Sequence, residues 1–401
     1  MPHELTIGFL PLVDACLPIL AHEHGFAEEE GVSLRLVRDV SWATVLDRLL
    51  YGHSDAAHMV APLAIATTLG RGRPAQPLSV PFVLGLNGNA ITLRPEYARR
   101  LRPEGTMGDA AQAGAALRTI ADERLAAGDP LRFGVVHRYS SHNYMLRYWL
   151  AACGIRPDED VEIATVAPPF CADALAAGEV DGICVGEPWN SVAVEQGAGE
   201  IVLATAQIWR RGVEKVLTFR TPWLEENPDS VDRLIRALAR AAAWCDTPDN
   251  HEALAHLLSQ PHYVDQPAEM ILRALSGGIV ARAGMAPQTL PDFMLFSREA
   301  TAFPWRSQAL WIYSQLVRWK MVEHSADHAA LAGSVFRPDI FRRAMADTDM
   351  PLPGASMKVE GAVASPLAVG SKRGGLTLGP DRFFDGRLFD PERIEDFLAG
   401  F

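Results

Sequence analysis

The chain has 401 residues, 48% of them apolar and 21% charged, with a formal net charge of −12. That length accommodates two or three domains with ample core, and the acidic balance argues against a nucleic-acid surface, which needs a basic stripe. The five cysteines, Cys16, Cys153, Cys171, Cys184 and Cys245, are odd in number and lack CxxC spacing, so neither a disulfide framework nor a zinc site is expected. No apolar run is long enough to span a bilayer. After Met-Pro-His-Glu the chain enters a strand at once, without a basic start and apolar leader core, which sets the expectation of a cytoplasmic protein.

The first strand is predicted at Thr6 to Leu10, followed by a helix from about Ala15 to Glu23 that Gly25 ends. Val32, Leu34 and Leu36 alternate with Ser33 and Arg35, the period of a strand. Ser41 then caps a helix with Val45, Leu46, Leu49 and Leu50 on one face, and Gly52 follows it as the C′ residue. Ala56 to Val60 is the third strand. Leu78 to Leu93 reads as an extended segment carrying the chain into a second unit of the same layout. There, Arg132 to Val136 is a strand, and Ser141 caps a helix running to about Ala152. Val161 to Val166 is a strand, Pro169 to Ala177 a short helix, and Gly182 to Val185 a strand. Val216 to Phe219 carries the chain back. Further helices are predicted from Ser230, at Glu252 to Leu258, at Gln308 to Trp319 and at Pro338 to Met345. From Asp347 onward the chain is rich in Pro and Gly and reads as a wrapping tail docked by Phe383, Phe384 and Phe389.

One unit occurs twice. Leu49-Leu50-Tyr51-Gly52-His53-Ser54-Asp55-Ala56 and Leu175-Ala176-Ala177-Gly178-Glu179-Val180-Asp181-Gly182 share the pattern Leu-x-x-Gly-x-x-Asp-small, each just before its unit's last strand. Strands alternating with helices give parallel sheets with right-handed crossovers, so the fold class is α/β with two similar lobes and a cleft between them. The expected division is 1–93 for the first part of lobe I and 94–215 for lobe II. The second part of lobe I, with a helical extension, takes 216–345, and the tail takes 346–401.

In open α/β sheets, ligands bind beyond the carboxyl ends of the strands. That rule selects Pro11 to Asp14, Ser41-Trp42 and His58 from the first unit. From the second it selects Ser140-Ser141-His142, Pro168-Pro169 and Gly186-Glu187, with Asn87-Gly88-Asn89 and Lys215 from the crossing strands. This set suits a small oxyanion. Lys215 is a compact cation, Ser41 and Ser141 stand where helix N–H groups are free, and Asn89, His142 and Trp42 can donate hydrogen bonds. Each residue also has a plainer reading: Trp42 as core, His58 as a satisfied buried histidine, Lys215 as a surface lysine, Glu187 as a cap or salt-bridge partner.

The segments Gly25-Phe26-Ala27-Glu28-Glu29-Glu30-Gly31-Val32, Ser41-Trp42-Ala43 and Ala57-His58-Met59-Val60-Ala61-Pro62 resemble the nitrate/bicarbonate-binding proteins of ABC importers. So do Leu86-Asn87-Gly88-Asn89, Val185-Gly186-Glu187-Pro188-Trp189-Asn190 and Glu214-Lys215-Val216-Leu217. The resemblance runs over nearly the whole chain. It implies a two-lobed periplasmic-binding-protein-like (type II) fold with a central ligand cleft. It also implies nitrate contacts at Trp42, His142, Pro168, Gly186 and Lys215. Asn89 takes the place of a longer glutamine, and Glu187 completes the ligand-binding set. Ser41, His58 and Ser141 are expected to support these contacts from behind. No catalytic residue, metal or cofactor is expected. Within the family the resemblance is strongest to cytoplasmic NasS-type nitrate/nitrite sensors, whose partner is a NasT-type RNA-binding antiterminator. That reading needs no direct contact with nucleic acid or membrane. The alternative is the substrate-binding component of a nitrate or bicarbonate ABC importer.

Overall fold

Ten main strands form two sheets: β1 (His3–Phe9), β2 (Val32–Arg38), β3 (Ala56–Val60), β4 (Leu78–Asn87), β5 (Asn89–Leu93), β6 (Leu131–Val135), β7 (Val161–Thr165), β8 (Gly182–Gly186), β9 (Glu200–Ala204) and β10 (Val213–Arg220). The computed structural model describes residues 3–102 and 104–401. The first sheet runs β4-β10-β3-β1-β2, with the two-residue strand Met294–Leu295 at the β4 edge; the second runs β9-β5-β8-β6-β7. The two orders are equivalent. In each, the unit's first strand lies between its second and third, all three parallel, and the next strand is antiparallel.

That antiparallel strand is the exchanged one. β5 follows β4 of the first sheet directly yet pairs in the second sheet, and β10 follows β9 of the second yet pairs in the first. The chain therefore crosses at Gly88 and between residues 205 and 212. Both expected boundaries move: 89–93 lies in the second sheet rather than lobe I, and β10 carries Lys215 in the first sheet rather than lobe II. Asn87 clasps the two crossings together. Its amide donates to the carbonyls of Arg210 and Asp292, both at 2.9 Å, and its side-chain oxygen accepts from Gly212 N at 3.1 Å.

The repeated unit has one physical job in both lobes. Gly52 and Gly178 end their helices at φ of +75° and +72°, a region open to glycine at little cost. Asp55 then exchanges bonds with the first strand: its side chain accepts from Thr6 N and its N–H donates to Thr6 O, both at 2.9 Å. Asp181 does the same with Arg132, at 2.9 and 2.7 Å. A small residue follows because the next strand is packed on both faces.

The helix Trp42–Leu50 buries Trp42, Val45, Leu46 and Leu49, which share one face at helical spacing. Ser41 caps it as expected, accepting from Thr44 N at 3.2 Å. In the second lobe the cap is Ser140, not Ser141: Ser140 Oγ accepts from Asn143 N at 3.2 Å, so Ser141 is the first helical residue of Ser141–Ala152. Ten of that helix's residues are buried, so it is internal. Helices are present at His251–Leu258, Arg306–Arg318 and Pro338–Ala344, close to the predicted positions. Ala110–Ala126 and Ala268–Ser276 were outside the prediction.

The tail is docked by Phe383, stacked 4.9 Å from Trp209, and by the fully buried Phe389; Phe384 is half-buried. Beneath it Lys358 pairs with Glu360 and, at 2.5 Å, with Asp381, while Ser307 Oγ donates to Glu360 at 2.7 Å. Among the described residues, no helix is long and apolar enough to cross a membrane.

Candidate functional site

The centre of the cleft is Lys215, which is fully buried. It stands on β10 where the pairing with β4 slips: Val213 faces Leu86, Lys215 faces Gly85 and Val216 faces Val83. Successive strand residues ordinarily point to opposite faces, and this bulge relaxes that rule. Glu214 and Lys215 therefore meet, with Lys215 Nζ donating to Glu214 Oε1 at 2.8 Å. The same ammonium lies 2.8 Å from Asp14 Oδ2, in the short turn after β1. An ammonium has three N–H donors, so one remains after these two carboxylates. The Trp42 ring, at the start of its helix, lies 5.4 Å from Nζ, in cation–π range.

The other residues close around this pair of carboxylates. His58 on β3 lies with Nε2 3.0 Å from Asp14 Oδ1; a carboxylate only accepts, so Nε2 carries the hydrogen and Nδ1 is left without a partner. His142 enters from the second lobe, with Nδ1 3.4 Å from Glu214 Oε1 but without hydrogen-bond alignment at either nitrogen. Gly186, at the end of β8, brings its backbone close. A Cβ there would stand 3.2 Å from both Asn89 Oδ1 and Leu12, and 3.8 Å from Asp14 Oδ2.

Charge states follow from these contacts. Burial opposes the charge on Asp14, but Lys215 and His58 overcome it and hold the carboxyl well below the usual range. Burial likewise raises Glu214, and the neighbouring His142 and Lys215 reverse that, leaving it below its ordinary value. Lys215 is discharged by burial and recharged by Asp14 and Glu214, for a net rise. Burial wins at both histidines: His58 is lowered, and His142 falls to about 4 although Glu214 opposes the shift.

Several buried polar atoms here have no protein partner: Trp42 Nε1, Asn89 Nδ2 and Oδ1, and both nitrogens of His142. The Ser141 hydroxyl, which faces Glu214, makes no hydrogen bond of good geometry. Folded proteins satisfy most of their buried polar groups. Unmatched atoms also occur elsewhere in this chain, as at Trp209, Gln308, Trp311 and Gln315, but those in the cleft gather around one buried lysine and come from both lobes, the arrangement a small polar guest needs. Both lobes contribute to it, and both hold it shut. Val13 N donates to Glu187 O at 2.9 Å, and Trp189 Nε1 donates to Pro11 O at 3.0 Å across the cleft. A separate cavity of about 690 Å³ is lined by Arg156, Arg318 and Phe401, away from this cluster.

Of the expected residues, Trp42, Asn89, His142, Gly186 and Lys215 gather here. Glu187 divides its carboxylate: Oε2 accepts from Ser191 N at 3.3 Å, in the first turn of the helix Trp189–Glu195, while Oε1 is buried without a protein partner. Burial pushes its carboxyl up to about 7. One oxygen thus has the capping role of its plainer reading, and the other is left over. Pro168 is buried where a 3-10 turn follows the edge strand β7, and no polar contact ties it to Lys215. Ser41 spends its hydroxyl on its helix and on Thr44 Oγ1. Asp14 was outside the expected set although its segment was within it, and Glu214 was hidden by the bulge.

Comparison with known proteins adds the relatives. Residues 1–259 match the NMT1-like family. The chain is 34% identical over 351 residues to the nitrate import ATP-binding protein NrtC of Synechocystis, across 85% of this chain and 50% of that protein. It therefore spans about half the length of that relative. It is 31% identical over 405 residues to the nitrate/nitrite binding protein NrtA of Synechococcus elongatus, across 99% of this chain and 85% of that one. The crystal structure of the periplasmic nitrate-binding protein NrtA from Synechocystis PCC 6803 matches the fold with a TM-score of 0.86 at 26% identity, covering 99% of this chain and 98% of that one.

Proposed function

This chain belongs to the NMT1-like family, and on that premise we propose that it binds nitrate or nitrite between its lobes, without catalysing a reaction. The observation that carries this reading is a buried lysine with one N–H to spare, ringed by unpartnered donors. A nitrogen oxyanion offers only acceptors. Lys215, Trp42 Nε1, Asn89 Nδ2, His142 and the Gly186 backbone are its contacts, with the Trp42 ring as an apolar wall. Relatives named for nitrate support the same ligand.

Magnitudes fit a modest affinity. At a ceiling of about 1.5 kcal/mol per heavy atom, a four-atom ion gains roughly 6 kcal/mol, or a Kd of tens of micromolar. Donors from both lobes engage only when the lobes are together, so the ion favours closure. Isothermal titration with nitrate, nitrite and bicarbonate tests the reading; heat with neither nitrogen oxyanion overturns it.

The output we propose first is that of the substrate-binding component of a nitrate importer, in line with the names of NrtA and NrtC. A second reading is a cytoplasmic NasS-type sensor, in which closure on the ion releases a NasT-type antiterminator. The net charge of −12 favours it, because a partner that binds RNA presents basic surface. A pull-down with such an antiterminator separates the two. Capture without nitrate and release with it supports the sensor. No capture under either condition, with nitrate-stimulated ATP hydrolysis by an importer, supports the transport component.

A further inference from the structure

We propose that His142 takes up one proton with each bound anion, so that the site accepts a nitrogen oxyanion and a proton together. This rests on the anion reading above and adds its regulation.

The argument starts from the charges that face His142. From β10 they are Glu214 and Lys215, and from the turn after β1, Asp14. His58 on β3 lies beyond Asp14 and is held neutral by burial, and Cys184 on β8, beside Glu214, is kept a neutral thiol the same way. Two carboxylates and one ammonium leave the buried cluster with one net negative charge. An anion placed against it raises that to two, in a region without solvent to screen it. Some group has to supply a compensating positive charge. Nitrate is the conjugate base of a strong acid and brings no proton of its own, so the proton resides on the protein.

His142 is the group placed to hold it. Its Nδ1 already lies 3.4 Å from Glu214 Oε1, and neither of its nitrogens has a partner. Protonated, it has two N–H groups pointing to opposite sides of the ring. One serves Glu214 and the other the anion. His58 differs: its Nε2 is committed to Asp14, and its Nδ1 has no carboxylate within ion-pair range. The ligand-free pKa of about 4 means that His142 starts neutral at neutral pH, so its protonation appears as net uptake.

The test is titration of the full chain with sodium nitrate, at neutral pH, in buffers of different ionisation enthalpy. The expected result is uptake of about one proton per nitrate. The Kd should rise about tenfold per pH unit for as long as the bound histidine holds its proton. His142→Gln keeps a donor but cannot titrate, and is expected to bind more weakly, with no uptake and a Kd independent of pH. Nitrate binding by the unsubstituted protein without proton uptake overturns the inference and leaves the anion reading standing. Uptake that persists in His142→Gln overturns the assignment to His142. Should that variant fail to fold, the proton count of the unsubstituted protein decides. No binding of nitrate or nitrite at any pH overturns both readings.

Discussion

Among the described residues a lysine stands between two carboxylates both in the cleft and under the tail, and the two places differ in what is left over. Under the tail, Lys358 meets Glu360 and Asp381, and every oxygen of those carboxylates has a partner. Ser307 Oγ serves the second oxygen of Glu360, and Val363 N serves that of Asp381 at 2.9 Å. In the cleft, Lys215 meets Asp14 and Glu214, but the groups around them stay unmatched: Trp42 Nε1, Asn89 Nδ2 and both nitrogens of His142. The first arrangement is a closed staple that fixes the tail. The second is an open valence. A buried ion pair alone is therefore no mark of a binding site; the unspent hydrogen-bonding capacity beside it is.

The largest expected effect comes from removing either lysine. Lys215→Ala leaves Asp14 and Glu214 buried without their cation, for a loss of roughly 3–5 kcal/mol in unfolding free energy. Nitrate binding should disappear from calorimetric titration, and with it any rise of Tm on adding nitrate. Lys358→Ala should cost stability toward the lower end of the same range, about 3 kcal/mol, because Lys358 is partly exposed. Its nitrate affinity should be unchanged. Equal losses of affinity in the two variants would erase the distinction between staple and site.

A smaller effect sharpens the comparison from within the cleft. Trp42→Phe keeps a flat ring near Lys215 but removes the indole N–H, one of the unmatched donors. A hydrogen bond to a charged group contributes about 1.5 kcal/mol, so nitrate should bind roughly tenfold more weakly. Stability should move little, since the N–H has no protein partner to lose. Titration beside denaturant unfolding reads both.

Local signals carried much of this arrangement. The Leu-x-x-Gly-x-x-Asp unit was legible because its glycine and aspartate each do a local job, ending a helix and pinning a neighbouring strand start. The strand-end rule selected Trp42, His142 and Gly186, and the crossing strands added Asn89 and Lys215; these five stand together in the cleft. What stayed hidden depended on long-range geometry. The bulge that turns Glu214 toward Lys215 arises from pairing with β4, more than a hundred residues away in the chain. Asp14 sits in a 3-10 turn with no period to read. Glu187 lies at a strand end like the others, yet the helix that begins just after it captures its carboxylate. Ala110–Ala126 escaped because its buried face is mostly Ala and Gly, which leave only a faint apolar stripe.

The smallest effect separates two serines that the repeat makes look equivalent. Ser41 and Ser141 stand at the starts of corresponding helices, but the structure divides their duties. Ser41 Oγ is the cap, bound to Thr44 N at 3.2 Å, while in the second lobe Ser140 takes the cap and Ser141 keeps a hydroxyl without a well-aligned partner. Ser41→Ala should therefore cost about 1 kcal/mol of stability, the ordinary value of an N-cap, with nitrate affinity unchanged. Ser141→Ala should do the reverse, leaving stability nearly intact and weakening nitrate binding several-fold, as loss of about 1 kcal/mol of hydrogen bonding requires. If Ser141→Ala lowers stability and spares affinity, its hydroxyl belongs with the staple under the tail, as a filled structural position. The measurement is a paired one, since each serine is the control for the other: same residue type at the start of corresponding helices, one as the cap and one a position further in, with opposite readout.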